Sequence, residues 1–279
     1  MGLFGKTPLR LAVQSGHETV VRLLLERDDV EADSVDIMGC TPLFFVKGNE
    51  TVARLLLQRN DVDAGFKGLG NRTPLHMAAE GGHETTVRLL LERENVDANS
   101  KNANGRSPLF YAALKGDKAE RVVELLLRRN DVDVDFKDAE GRSPLSYAAS
   151  KGDKAERIVE LLLRQNDVDV DFKDTKGRSP LSYAASKGDM AWTVIRLLLQ
   201  QNDIEADSKD NKNRTPLSYA AAWADEAEVV VRLLLLKRND VDANHKDSGD
   251  QTPTRYASWS RFSLSKIIRL LESEERYIN

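Results

Sequence analysis

The 279-residue sequence has little of what builds a reactive centre, a secretory scaffold or a membrane anchor. It has one cysteine, Cys40, so an internal disulfide framework is excluded and a reducing compartment fits. No apolar run approaches the roughly 18 residues that a bilayer span needs. Lys6, Pro8 and Arg10 break up any signal-peptide core. Neither charge dominates: 41 basic residues stand against 45 acidic ones, for a net charge of −4. That balance gives no overall pull toward nucleic acid or an anionic membrane. A cytoplasmic protein is expected, with the nucleus also open.

Catalytic patterns are missing too. Gly5-Lys6-Thr7 lacks the upstream glycine of a phosphate-binding loop and is followed by Pro8. Met1-Gly2 is followed by Lys6 where a myristoylation signal has Ser or Thr. Cys40 has no cysteine at metal-ligand spacing. The acidic runs 131–135 and 167–171 lack the glycine and the distal Glu of a calcium loop, and read as solvated turns. No serine sits in a nucleophile elbow. No enzyme, cofactor or metal site is expected.

Proline is scarce, and its placement organises the chain. The eight prolines are Pro8, Pro42, Pro74, Pro108, Pro144, Pro180, Pro216 and Pro253. Each follows Thr or Ser, and the spacings by subtraction are 34, 32, 34, 36, 36, 36 and 37. GRSPLSYAASKGD at 141–153 recurs unchanged at 177–189, and NDVDVDFKD at 130–138 recurs at 166–174. A fixed period of this size marks a stacked-repeat architecture. The approximate repeats are 5–38, 39–70, 71–104, 105–140, 141–176, 177–212, 213–249 and 250–279, read as one domain over 1–279.

Each repeat predicts two helices. Ser143 caps a first helix whose opening residue is Pro144, where a missing N–H costs nothing. Leu145, Ala148 and Ala149 form its apolar, small-residue stripe, and Gly152 ends it. Asp153 and Glu156 predict a capping box for a second helix carrying Ile158, Val159, Leu161, Leu162 and Leu163. The Asp-Val-Asp run and Gly177 predict an extended segment and turn. One such pair cannot bury its own apolar face, but a stack can.

Thr-Pro-Leu-His-Met-Ala-Ala-Glu-Gly-Gly-His at 73–83, followed by Val-Arg-Leu-Leu-Leu at 87–91, resembles the ankyrin repeat. The likeness recurs in register over nearly the whole chain. Its Ser-Pro-Leu-Ser-Tyr-Ala-Ala flavour is similar to arrays common in filamentous fungi. The resemblance implies an all-α solenoid of helix-turn-helix units with β-turn or hairpin fingers, whose concave face binds proteins. It also implies local backbone hydrogen bonding by His17, His76 and His83. His245 lies in a finger.

Three stretches depart from the pattern. The second repeat is shortened at 44–50, and Ile37, Met38, Phe44 and Phe45 are weighed as an apolar contact patch against a degenerate repeat. Repeats four to seven carry two extra residues before the leucine triplet, expected to lengthen the second helix or its lead-in turn. The end, Ser265 to Arg276, reads as a polar helical cap. The first helix pair is apolar without a dedicated cap, which motivates the expectation that the chain is part of a longer protein.

Register sorts charge that the net value hides. Finger lysines lie seven residues before the prolines (Lys67, Lys101, Lys137, Lys173, Lys209, Lys246) and arginines two before (Arg72, Arg106, Arg142, Arg178, Arg214). Lys115, Lys151 and Lys187 end the first helices. A basic concave and finger side is expected, although Asp138, Asp174 and Asp210 beside the lysines could neutralise it.

An aromatic column (Phe45, Tyr111, Tyr147, Tyr183, Tyr219, Tyr256) suits either packing between repeats or partner contact. Trp223 and Trp259 occupy slots that are polar elsewhere and are candidate anchors. Phe66, Phe136 and Phe172 are expected to pack inside fingers.

The candidate partner-binding set is therefore Lys101, Arg106, Tyr111, Lys115, Lys137, Arg142, Tyr147, Lys151, Lys173, Arg178, Tyr183, Lys187, Lys209, Arg214, Trp223 and Trp259. The expected function is a non-enzymatic scaffold, a monomer, that binds a protein partner with an acidic surface. The alternative is a sensing or substrate-recruiting module of a larger enzyme or signalling protein. Nucleic acid is the weaker partner because the basic rows alternate with aspartate.

Overall fold

The computed structural model describes residues 6–237, 241–258, 268–269 and 271. All its regular structure is helical, and no strand occurs among the described residues. The chain forms two bodies, residues 1–139 and 140–279.

In the N-terminal body the helices are α1 (Pro8–Ser15), α2 (Glu18–Leu25), α3 (Glu50–Leu57), α4 (Pro74–Gly81), α5 (Glu84–Leu91), α6 (Pro108–Lys115) and α7 (Glu120–Leu127). The shortened second repeat cannot complete an α-helix after its proline. It forms a 3₁₀ turn, Pro42–Phe45, instead. α1, this turn, α4 and α6 stack as one column, and α2, α3, α5 and α7 as another.

The C-terminal body repeats the plan. α8 (Pro144–Ala149), α10 (Pro180–Ala185), α12 (Pro216–Ala221) and α14 (Pro253–Ser258) form the first column. α9 (Glu156–Leu163), α11 (Trp192–Leu199) and α13 (Glu228–Lys237) form the second.

The expected start signal holds. Thr7, Thr73, Ser107, Ser143, Ser179 and Thr215 each accept a backbone N–H three residues on, with proline as the first helical residue. In α8 and α9, Leu145, Ala148, Ala149, Ile158, Val159 and Leu162 are all fully buried. A large apolar side chain buried this way contributes about 1.5–3 kcal/mol.

The capping box is corrected. The two extra residues are taken up in a four-residue 3₁₀ lead-in turn, Gly152–Ala155, and α9 starts after Ala155 with no side-chain cap. Asp153 reaches forward instead. Its Oδ1 accepts from the Thr193 and Val194 N–H groups at 3.1 and 3.2 Å, so it caps α11 of the following repeat. Asp189 does the same for Val230 of α13, at 3.1 Å. Gly152 is held at φ +62°, and a β-carbon there would overlap the Met190 carbonyl. The insertion therefore couples neighbouring repeats.

The histidines divide. His76 completes a capping box, with Nδ1 2.8 Å from Thr73 Oγ1, and Nε2 lies 2.9 Å from the Arg106 carbonyl of the next repeat. Burial pushes its pKa down to about 4. His17 and His83 make no side-chain cap hydrogen bond, but their backbone N–H groups donate to the Ala12 and Ala78 carbonyls of the preceding helices. Leu11, Val20 and Leu23 of the first repeat are exposed. Most of the segment expected as a C-terminal helix lies outside the described residues.

Candidate protein-binding surface

In the C-terminal body one aspartate builds each finger turn, a role that Asn102 takes in the 101–106 finger. Asp174 Oδ1 accepts from the N–H groups of Lys176 and Arg178 at 2.8 and 2.9 Å. Gly177, at φ +77°, closes the turn. Asp210 does the same for Lys212 and Arg214, with Asn213 in the left-handed position. Single backbone bonds join neighbouring fingertips. Ala103 N–H donates to Gly70 and Ala139 N–H to Asn104 in the first body. Thr175 N–H donates to Glu140, Asn211 to Lys176 and Ser248 to Lys212 in the second.

The other oxygen of each aspartate organises the arginine and the tyrosine. Asp174 Oδ2 accepts from Arg178 Nε and Nη2 at 3.0 and 2.8 Å and from the Tyr183 hydroxyl at 2.7 Å. Asp210 holds Arg214 and Tyr219 in the same way. The guanidinium of Arg178 lies 4.5 Å over the Tyr183 ring, and Arg214 4.7 Å over Tyr219. Arg142 covers Tyr147 at 4.5 Å and pairs with Glu140 at 2.6 Å. Although burial opposes it, these bonds hold the Asp174 and Asp210 carboxyls below the usual range. Burial, then the bond to aspartate, pushes the Tyr183 and Tyr219 phenols well above theirs. Tyr256 repeats the bond to Asp247 at 2.6 Å, and its phenol is pushed up to about 12.

In the N-terminal body Tyr111 is buried, its hydroxyl accepts from Asn102 at 2.8 Å, and Arg72 covers it at 4.6 Å. Arg106 lies 3.5 Å from the buried Asp138 carboxylate. The arginine and tyrosine rows are thus committed within the fingers and between repeats.

The lysines are left at the surface. Lys101, Lys137, Lys173 and Lys209 are exposed, as are Lys115 and Lys151, while Lys187 is half-buried. Lys101 lies over the Phe136 ring at 3.9 Å, and Lys173 is 3.3 Å from Glu205. Two further exposed lysines, Lys176 and Lys212, stand at the fingertip slot that Asn104 and Glu140 fill in earlier repeats. Lysine fills this slot in only two repeats, so the shared register does not reveal it; the signal in the sequence is the change from Asn and Glu to Lys.

Trp223 is 40% exposed, with its indole N–H donating to the Ser186 carbonyl at 2.8 Å. Trp192 and Met190 lie exposed at the start of α11, where the fifth repeat carries Glu156 and Lys154. Trp259 lies outside the described residues.

The apolar patch of the second repeat is reduced. Phe44 is buried against Phe66, and Phe45 lies under Arg10, which is paired with Asp36 at 3.0 Å. Ile37 and Met38 stay exposed. Phe136 and Phe172 pack inside their fingers as expected. Cys40 is half-buried, and burial pushes its thiol up. No group of three metal-ligating side chains occurs among the described residues. No helix among them is long and apolar enough to cross a membrane.

The comparisons agree with this architecture. The family described as ankyrin repeats (3 copies) matches residues 1–66, 46–138, 115–210 and 145–247. The crystal structure of the ankyrin repeat domain of Bcl-3, described as a unique member of the IkappaB protein family, is similar at 22% identity and a TM-score of 0.64. The match covers 96% of this chain and 99% of that one, and it bears on the fold alone. No curated protein matches the chain significantly. With matched segments running from residue 1 to residue 247, this chain belongs to the ankyrin repeat family.

Proposed function

We propose that the chain is a non-enzymatic module that binds an acidic protein surface through the two fingers spanning 173–178 and 209–214. Ankyrin repeats in general mediate protein–protein interaction, which supports the class. One observation carries the finer reading: the side chains of Asp174 and Asp210 are only 1% exposed, each beneath its own arginine and tyrosine. Their charge is spent inside the finger, and Lys173, Lys176, Lys209 and Lys212 face solvent. Each finger carries two lysines and one arginine against one aspartate, a net charge of +2.

A carboxylate-bearing protein suits this surface better than a nucleic acid. Arginine is the side chain that grips phosphate or guanine bidentately, and here each guanidinium already commits its Nε and Nη2 donors to one aspartate oxygen. The reading includes a cytoplasmic monomer and a filamentous-fungal source.

The test is affinity capture at low and high salt, with wild-type chain and a K176E/K209E/K212E bait. The reading expects partners held at low salt and lost with salt or with the reversed bait. A partner kept equally by both baits would overturn it.

A further inference from the structure

At the root of each finger one repeat position holds Asp33, Gly65, Asn99, Asp135, Asp171, Asp207 and Asn244 in turn. Asn99 shows what the position can do. Its Oδ1 accepts from the Asp133 N–H at 2.9 Å, and its Nδ2 donates to the Asp131 carbonyl. Both bonds cross to the next repeat.

Aspartate keeps only the first of these bonds. Asp33 Oδ2 accepts from the Asp63 N–H at 2.6 Å, and Asp171 Oδ2 from the Glu205 N–H at 2.6 Å. Asp207 takes the Asp242 N–H. In all three the second oxygen, Oδ1, is buried and has no hydrogen-bond partner. By register, the carbonyl that Asn99 reaches corresponds to that of Asp61 for Asp33 and of Asp203 for Asp171. An ionised carboxylate sets lone pair against lone pair there. A proton on Oδ1 would supply the donor that asparagine supplies with its amide.

We propose that Asp33, Asp171 and Asp207 are proton-gated latches between consecutive repeats. Protonated, each grips the next repeat by two hydrogen bonds, as Asn99 does. Ionised, each grips it by one and leaves its second oxygen buried without a partner.

The surroundings favour the proton. Asp33 faces Asp63 and Asp61. Asp171 faces Glu205 and Asp169, with Lys173 as its one opposing charge. Asp207 faces Asp242 on one side and His245 and Lys209 on the other. Burial is the largest influence on all three, raising Asp33 and Asp171 and pushing Asp207 up to about 6.

The sign follows from these directions. A carboxyl raised in the folded state binds its proton there before the unfolded chain does. Its contribution to stability therefore grows as pH falls through its folded value, about 6 for Asp207, and levels off below the ordinary aspartate range. Asp171 and Asp207 sit two residues from Lys173 and Lys209, so mild acid tightens the roots of the lysine fingers. The inference does not depend on what those fingers bind.

The test compares the full chain with its D171N/D207N variant by urea unfolding between pH 8 and pH 5. Asparagine already fills this position at Asn99 and Asn244. The variant is expected to be more stable at pH 8, by about tenfold in the unfolding equilibrium after allowance for half-exposed carboxyls. The gap closes toward pH 5. A variant less stable than the parent at pH 8, or a gap that does not change with pH, would overturn the latch.

Carboxyl NMR of the unmutated chain gives an independent reading. Asp171 and Asp207 are expected to titrate above the other aspartates, with the Asp203 carbonyl shift following Asp171. Ordinary titration at both, or a response abolished by a metal chelator, would also overturn it.

Discussion

The Tyr183 hydroxyl donates to Asp174 Oδ2 at 2.7 Å, and this bond helps keep the one carboxylate of a finger of net charge +2 away from its surface. The phenol and the Arg178 guanidinium converge on one oxygen, so neither is free to turn toward solvent. Tyr183→Phe removes one donor and leaves the ion pair. It is expected to cost about 1 kcal/mol in urea unfolding. Asp174→Ala strands both partners and the turn N–H groups, and should cost about 2–3 kcal/mol.

The lowered carboxyls set the acid limit. Asp174 and Asp210 are depressed in the folded state, so their contribution is present above the ordinary aspartate range and is lost as pH falls through their folded values. His76 acts over a higher window. Its pKa of about 4 lies below the ordinary histidine value, so the unfolded chain binds that proton first between about pH 6.5 and 4. His76 is expected to withdraw about 3 kcal/mol of stability across that window. A His76→Gln variant, followed by circular dichroism against pH, should lose this slope.

Asp153 ties the fifth repeat to α11 of the sixth. Asp153→Ala leaves the Thr193 and Val194 N–H groups without their acceptor, at a cost of about 1–2 kcal/mol. Hydrogen exchange at those two amides should accelerate most, since the bond crosses between repeats.

Gly152 and Gly70 share a left-handed backbone but differ in space. A β-carbon at Gly152 meets the Met190 carbonyl, whereas at Gly70 it meets nothing within 4 Å. Gly70→Ala is expected to cost about 1 kcal/mol, the conformational penalty alone. Gly152→Ala should cost at least twice that, because backbone must move as well. Thermal unfolding of the two variants side by side checks the difference.

Sequence periodicity marked the stacked repeats and their Ser/Thr-Pro helix starts, and the motif at 73–91 pointed to the family, because these depend on neighbouring letters. Ser143, Pro144 and Leu145 act within a single turn of chain, so their roles are written in adjacent letters. It also placed the finger lysines and the buried phenylalanines by register. What it left undecided was which charges cancel. Asp174 stands next to Lys173 in sequence, but in space it belongs to Arg178 and Tyr183. Asp153 looks like a cap for its own helix, yet a 3₁₀ turn carries it past that helix to the next repeat. Only the tertiary structure decided these pairings, because a side chain bonds to whatever lies within about 3 Å of its polar atoms, and in a stack much of that comes from the neighbouring repeat.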